Sequence, residues 1–284
     1  MVFSSVIVLN AFAGGAASDN VEWNVYKTLQ LDATPIDLAI SADGRRIFVL
    51  TDQGKILVYT STTNIEATLD VGKQVDQIKL GPGEETLILK SSKDKTVQLV
   101  SLDFIQNINI SGAPFKGPED ASVVIAVFDD FQWPYCARLA LVLDQVLEKY
   151  PNDVKVAFKN FPIRSHQFSL KAAAAALAAE SQGKFWEFHD LLFKNYNQLN
   201  DQKIQEIAQA VGLNQEEYEK KKNDPATTRK IQQDLSDGQQ AGVRGTPTVF
   251  INGIRLRDRS LQGFQAAIDK QLEKLGKTTT KPSS

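Results

Sequence analysis

The chain has 284 residues, 42% hydrophobic and 23% charged, enough for two domains each with its own core. A net charge of −2 leaves no broad cationic face for nucleic acid or an anionic membrane. One cysteine, Cys136, and two histidines, His166 and His189, exclude an internal disulfide, a Cys-rich zinc site and a histidine-based metal centre. No metal or other cofactor is expected.

Residues 1–20 read as a signal-like segment. Val6 to Leu9 are apolar, and small residues follow at Ala11, Ala13, Ala16 and Ala17, as an A-x-A-type cleavage site requires. The basic start of a signal is missing, since the first positive side chain is Lys27. A trimmed start, a buried strand or a disordered tail are the alternatives. Export to the periplasm or another extracytoplasmic space is the expectation. No later apolar run approaches the roughly 18 residues of a membrane span, so none is expected after signal removal.

Residues 21–110 carry a β pattern of short alternating runs. Strands are expected at Ile36–Ile40, Ile47–Leu50 and Ile56–Tyr59, with turns at Ser41-Ala42-Asp43-Gly44 and Asp52-Gln53-Gly54. The series then recurs. Val75–Leu80, the turn Gly81-Pro82-Gly83, Thr86–Leu89 and Thr96–Val100 follow at an offset of about 40 residues, the period of a four-stranded propeller blade. DLAISADGRRIFVLTDQGKILVY resembles blades of the YVTN/WD40-like class, without a Trp-Asp signature. Two blades do not close a ring. Three outcomes are open: a self-contained β-domain in the form of a small open sandwich, packing on the other domain, or blades pooled in a homo-oligomer through residues 21–110, since edge strands need protection.

Asn109 to Glu119, with two prolines and two glycines, reads as a linker. The second domain, 111–276, is α/β. It opens with a strand at Val123–Phe128, a helix at Ala137–Tyr150 and a strand at Val154–Phe161. Helices are expected at Leu170–Glu180, Phe185–Leu192, Asp201–Val211, Gln215–Lys222 and Ala226–Gln240. A hairpin of Thr248–Ile251 and Ile254–Leu256 turns at Asn252-Gly253, and a helix at Leu261–Leu275 closes the domain. Residues 277–284 read as a disordered tail. The order β-α-β, helical insertion, β-β-α describes a thioredoxin core interrupted by a helical subdomain.

Several separated segments carry a closer likeness: APFKGPEDASVVIAVFDDFQWPYC, VKVAFKNFPIRSHQFSLKAAAAA, GKFWEFHDLLF and GVRGTPTVFING. Residues 113–275 resemble a DsbA-type thioredoxin-fold disulfide oxidoreductase of bacterial envelopes. The resemblance implies a Cys-x-x-Cys motif at the start of a helix, and here Trp133-Pro134-Tyr135-Cys136 stands in its place. Trp133 replaces the attacking cysteine and Cys136 occupies the resolving position. Indole is not a nucleophile toward disulfides, so two-cysteine exchange is chemically excluded in this sequence. The resemblance also implies a cis Thr246–Pro247 bond in a loop against the motif, where Thr246 offers its backbone to an extended substrate.

Trp133, Pro134, Tyr135, Thr246 and Pro247 are therefore the expected substrate-binding residues. Trp133 either anchors a polypeptide or plugs a disused groove. Cys136 lies where a helix dipole favours a thiolate but where burial and the negative Asp129 and Asp130 oppose one. His166 either approaches the motif or caps or leads into the helix after it. Lys184–His189 reads as a packing stripe. The expected function is a redox-degenerate, envelope polypeptide-binding or chaperone-like protein of the thiol–disulfide system, acting on unfolded or extended chains. The alternatives are a single-cysteine oxidoreductase using Cys136, through a mixed disulfide or glutathione, and a structural or oligomerisation component of an envelope complex.

Overall fold

The computed structural model describes residues 23–25, 27–60, 64–81 and 86–277. The signal-like segment 1–20, most of the turn at residues 81–83 and the tail beyond Lys277 lie outside the described residues. The chain forms two compact units that meet in sequence at Leu102 and Asp103.

The first unit is all-β. Strands β1 (Pro35–Ile40), β2 (Arg46–Thr51), β3 (Lys55–Thr60) and β4 (Ile65–Asp70) make one antiparallel sheet in sequence order. Strands β5 (Gln77–Leu80), β6 (Thr86–Ser91) and β7 (Thr96–Ser101) make a second. The core comes from the central strands, with Phe48, Leu50, Ile56, Val58, Ile78 and Leu87 buried. Gly54 turns β2 into β3 at φ +75°, and a side chain there would collide with the Gly72 backbone at 2.4 Å. The Asp37 carboxylate accepts the Ile78 N–H at 2.7 Å, which ties the first sheet to the second. Strand β4 was not foreseen: only Ala67 and Leu69 in it are partly shielded, too weak an alternation to read.

The second unit holds a five-stranded sheet of order β12-β11-β9-β10-β8. Here β8 is Phe115–Lys116, β9 Val123–Asp129, β10 Val154–Asn160, β11 Thr248–Ile251 and β12 Ile254–Arg255. Strands β9 and β10 pair in parallel, and β11 runs antiparallel to β9. Because both faces of β9 are covered, it reads as a nearly continuous apolar run, whereas β10 interleaves Lys155 and Lys159 with its apolar residues. The helices are α1 (Pro134–Lys149), α2 (Ser169–Glu180), α3 (Phe185–Lys194), α4 (Asp201–Ala210), α5 (Gln215–Lys222), α6 (Pro225–Gln240) and α7 (Leu261–Lys274). Leu139, Leu143 and Val146 of α1 share one core with Phe264, Ile268 and Leu272 of α7. Each of these side chains contributes about 1.5–3 kcal/mol by leaving water. In α2, Ala172, Ala175, Ala176 and Ala179 are fully buried, a surface of small side chains against which neighbouring helices pack.

Two expectations are corrected. The stretch 109–119 is not a free linker: it supplies β8, whose Phe115 and Lys116 pair with Ala157 and Val156, and Pro114 C=O accepts the Phe158 N–H at 2.9 Å. A two-residue strand among prolines and glycines has no periodicity to reveal it. Helix α1 begins at Pro134 rather than Ala137. Proline is pre-set for the first helical position, where its missing N–H leaves no partner unsatisfied. Lys277, the first residue of the expected tail, is described and lies 3.3 Å from Asp153.

One buried polar network was invisible in sequence. Lys159, 1% exposed, places Nζ 2.7 Å from both Asp234 and Asp237 and donates to Asn109 C=O at 2.8 Å. The second Asp234 oxygen accepts the backbone and side-chain N–H groups of Asn160. It joins β10 to α6 and fixes the end of the sheet from which the loop of the candidate site departs.

Candidate functional site

The site begins where β9 ends. Asp130 is buried, and its carboxylate accepts the Gln132 N–H at 2.8 Å and the Ile163 N–H at 2.7 Å, with His166 Nδ1 at 2.9 Å. Phe131 turns inward and stacks on Phe158 at 5.1 Å between ring centroids. These anchors leave Gln132 and Trp133 as the bridge into α1, with Trp133 at its N-cap.

Trp133 is half-buried. Its ring has Tyr135 and His166 each 5.4 Å away by centroid and stacks on the imidazole at 27°. His166 thus belongs to the motif's surroundings and also leads into α2: the N-cap is Phe168, but the His166 C=O accepts the N–H of Ser169 at 3.2 Å. Tyr135 is exposed, and the Arg138 guanidinium sits 4.2 Å above its ring. Opposite stand Thr246 and Pro247, joined by a cis peptide bond, and Arg259, whose Nη1 donates to Pro247 C=O. Between them is an open groove of about 390 Å³. Trp133, Tyr135, Arg138, Leu139 and Val142 line one side, and Thr246, Pro247 and Arg259 the other. Pro134 is at the first helical position and does not line it.

Cys136 does not reach this groove. It is 0% exposed and packs in the core beside Asp129 and Thr246. Burial pushes its thiol pKa far up, and the neighbouring Asp129 charge adds to that. The helix N-terminus favours a thiolate by only about 0.3–1 kcal/mol, under one pKa unit, so burial wins and the thiol stays protonated. Asp129 is itself raised, to about 7, chiefly by burial and further by Asp130, with Cys136 and Arg259 opposing. Its Oδ1 and the Thr246 Oγ1 are buried without hydrogen-bond partners.

Sequence reasoning missed the two arginines. Arg138 was within reach of it, three residues after Tyr135 on one helix face. Arg259 carried no signal, because only the fold brings the turn before α7 beside Pro247. The stripe 184–189 packs as expected, with Phe185, Phe188 and His189 buried. Among the described residues no cluster of His, Cys, Asp or Glu could hold a metal, and no helix is long and apolar enough to cross a membrane.

A family model described as "Thioredoxin" matches residues 111–270. The Na(+)/H(+) antiporter NhaA 1 of Mycolicibacterium vanbaalenii is 26% identical over 259 residues, covering 89% of this chain but 37% of that protein. The chain therefore spans less than two fifths of that curated relative. A thioredoxin-like oxidoreductase from Silicibacter pomeroyi superposes with a TM-score of 0.51 at 29% identity, over 57% of this chain and 92% of its own. BdbD from Bacillus subtilis, at 21% identity, has a TM-score of 0.53 over 60% and 97% and shares the fold.

Proposed function

Because the chain belongs to the thioredoxin family, we propose that its second unit is a DsbA-like module that binds extended polypeptide at the Trp133 groove without exchanging disulfides. The observation that carries this reading is the separation of groove from thiol: Trp133, Tyr135, Thr246 and Pro247 line an open cleft while Cys136 is fully enclosed. The half-buried Trp133 and exposed Tyr135 beside a backbone edge supply apolar anchors for a segment laid along Thr246 as an added strand. The reading brings with it an extracytoplasmic setting, where the DsbA-type proteins this unit resembles do their work. Single-cysteine exchange through Cys136 is the weaker alternative, since a protonated thiol with no exposed surface cannot attack a disulfide sulfur.

Two assays on the full chain test it. Binding of an unfolded peptide should weaken about tenfold in Trp133→Ala, the loss of one aromatic hot spot, and be unchanged in Cys136→Ser. Insulin reduction should be absent; turnover abolished by Cys136→Ser would defeat the proposal.

For the first unit we propose self-association, the partner being a second copy of this chain. Strand β7 is outermost in its sheet, exposes Val97 at 64% and Leu99 at 75%, and has no charged side chain. Strand β1 by contrast starts at Pro35 and carries Asp37, and β4 carries Glu66 and Asp70, the features that discourage edge pairing. Antiparallel β7–β7 pairing about a two-fold axis would oppose the apolar side chains of the two copies. Light scattering should show a dimer that Leu99→Lys dissociates; a clean monomer at high concentration removes this proposal.

A further inference from the structure

The proposed groove is cationic in a chain of net negative charge. Its lining includes two arginines and no carboxylate, against a formal charge of −2 for the whole sequence. Neither arginine is committed to an ion pair among the described residues. The Arg138 guanidinium rests on the Tyr135 ring at 4.2 Å, which holds it at the groove without neutralising it. Arg259 donates one Nη1–H to Pro247 C=O, and a guanidinium has five N–H groups, so four remain. The carboxylates beneath are buried rather than presented to a ligand. Asp130 is occupied by Gln132, Ile163 and His166, and Asp129 is 2% exposed under the Thr246 loop.

Resting on the polypeptide-binding reading, we infer that the groove selects extended peptides that carry acidic side chains close to an apolar or aromatic residue. The apolar residue would sit against Trp133, Leu139 and Val142. A neighbouring Asp or Glu would meet Arg138 and Arg259 from opposite walls. Guanidinium suits this work because its planar fork matches a carboxylate, and because it is more weakly hydrated than an ammonium when partly shielded. The occupant is a side-chain carboxylate within the peptide; a free C-terminal carboxylate has the same chemistry and is separated from it by amidation.

The test is fluorescence anisotropy on the full chain with C-terminally amidated peptides bearing an uncharged fluorophore. They share one apolar–aromatic sequence and differ only in having Glu, Gln or Lys at two flanking positions. At about 50 mM salt the Glu peptide should bind about tenfold tighter than the Gln peptide, and the Lys peptide weakest. The gap should narrow at about 500 mM salt, as a partly solvated charge contact requires. Arg138→Gln should lower the ratio of Glu- to Gln-peptide affinity about threefold, the ratio being read because Arg138 also lines the groove; Arg138→Lys should restore part of it. Arg259→Lys is the second variant, with its thermal midpoint measured because Arg259 also holds Pro247. Arg138 is exposed on a helix, so its substitution does not threaten the fold. Equal affinity for Glu and Gln peptides would overturn the acidic preference and leave polypeptide binding standing. Tight binding of the Gln peptide in its free-acid form, run beside the amidated set, with no effect of internal Glu would overturn it in favour of terminal-carboxylate capture. No binding of any peptide would defeat both this inference and the reading beneath it.

Discussion

Replacing Asp129 by Asn turns the burial of one carboxyl into a measurable dependence of stability on pH. Asp129 closes β9 at 2% exposure, with Oδ1 unpaired, and its folded pKa stands at about 7 against 3.8 for an ordinary aspartate. Below about pH 4 both folded and unfolded chains hold the proton, and this group favours neither. Between about pH 4 and 7 the unfolded chain has released the proton while the folded chain keeps it. Unfolding therefore becomes easier as pH rises, by about 1.4 kcal/mol for each pH unit. Above pH 7 both forms are ionised and the loss levels off at about 4 kcal/mol. Asp129→Asn keeps the shape and removes the ionisation. Its stability relative to the parent should be about 4 kcal/mol more favourable at pH 8 than at pH 4, a comparison that cancels any pH-independent effect of the amide. Urea unfolding followed by the fluorescence of Trp133 and Trp186, in a Trp23→Phe background so that only the second unit reports, measures both values. Curves that stay parallel within about 1 kcal/mol between the two pH values would refute the reasoning, because the carboxyl would then be solvated in the folded protein.

Other expectations follow from the same interior. Cys136 should resist an alkylating reagent in the native protein and label fully in denaturant; rapid native labelling would mean that the thiol opens to solvent. Lys159→Met should destabilise by up to about 3–5 kcal/mol, because buried Asp234 then keeps only the part-exposed Lys230, 3.0 Å away, and Asp237 loses the Lys159 ammonium; a change in thermal midpoint equivalent to less than about 1 kcal/mol would show the network to be hydrated. Trp133→Cys places a thiol at the α1 N-cap, beside Thr246-Pro247 and one helical turn before Cys136, and should confer measurable insulin reduction. Its absence would show that the surroundings of Cys136 no longer support exchange.

The second unit was legible because its elements have strong periods: the β9 and β10 runs, the apolar face of α1 and the alanine-rich α2 are written in single stretches. The turns also speak locally, as Asn252-Gly253 does between β11 and β12. What escaped was brought together by distance along the chain. Strand β8 exists only because β10 lies beside it. Lys159, Asp234 and Asp237 are ordinary charged residues until β10 and α6 meet. Arg259 becomes a groove residue only because the turn before α7 folds over Pro247.

The Trp133-Pro134-Tyr135-Cys136 stretch divides the same way. Its composition alone determined the chemistry that is excluded, since one sulfur and an indole cannot perform a two-thiol exchange in any fold. Whether the remaining sulfur could act at all was decided by tertiary structure. A local helix dipole argues for a thiolate, but burial in the core beside Asp129 is the larger effect, and burial is set by residues more than a hundred positions apart in the chain.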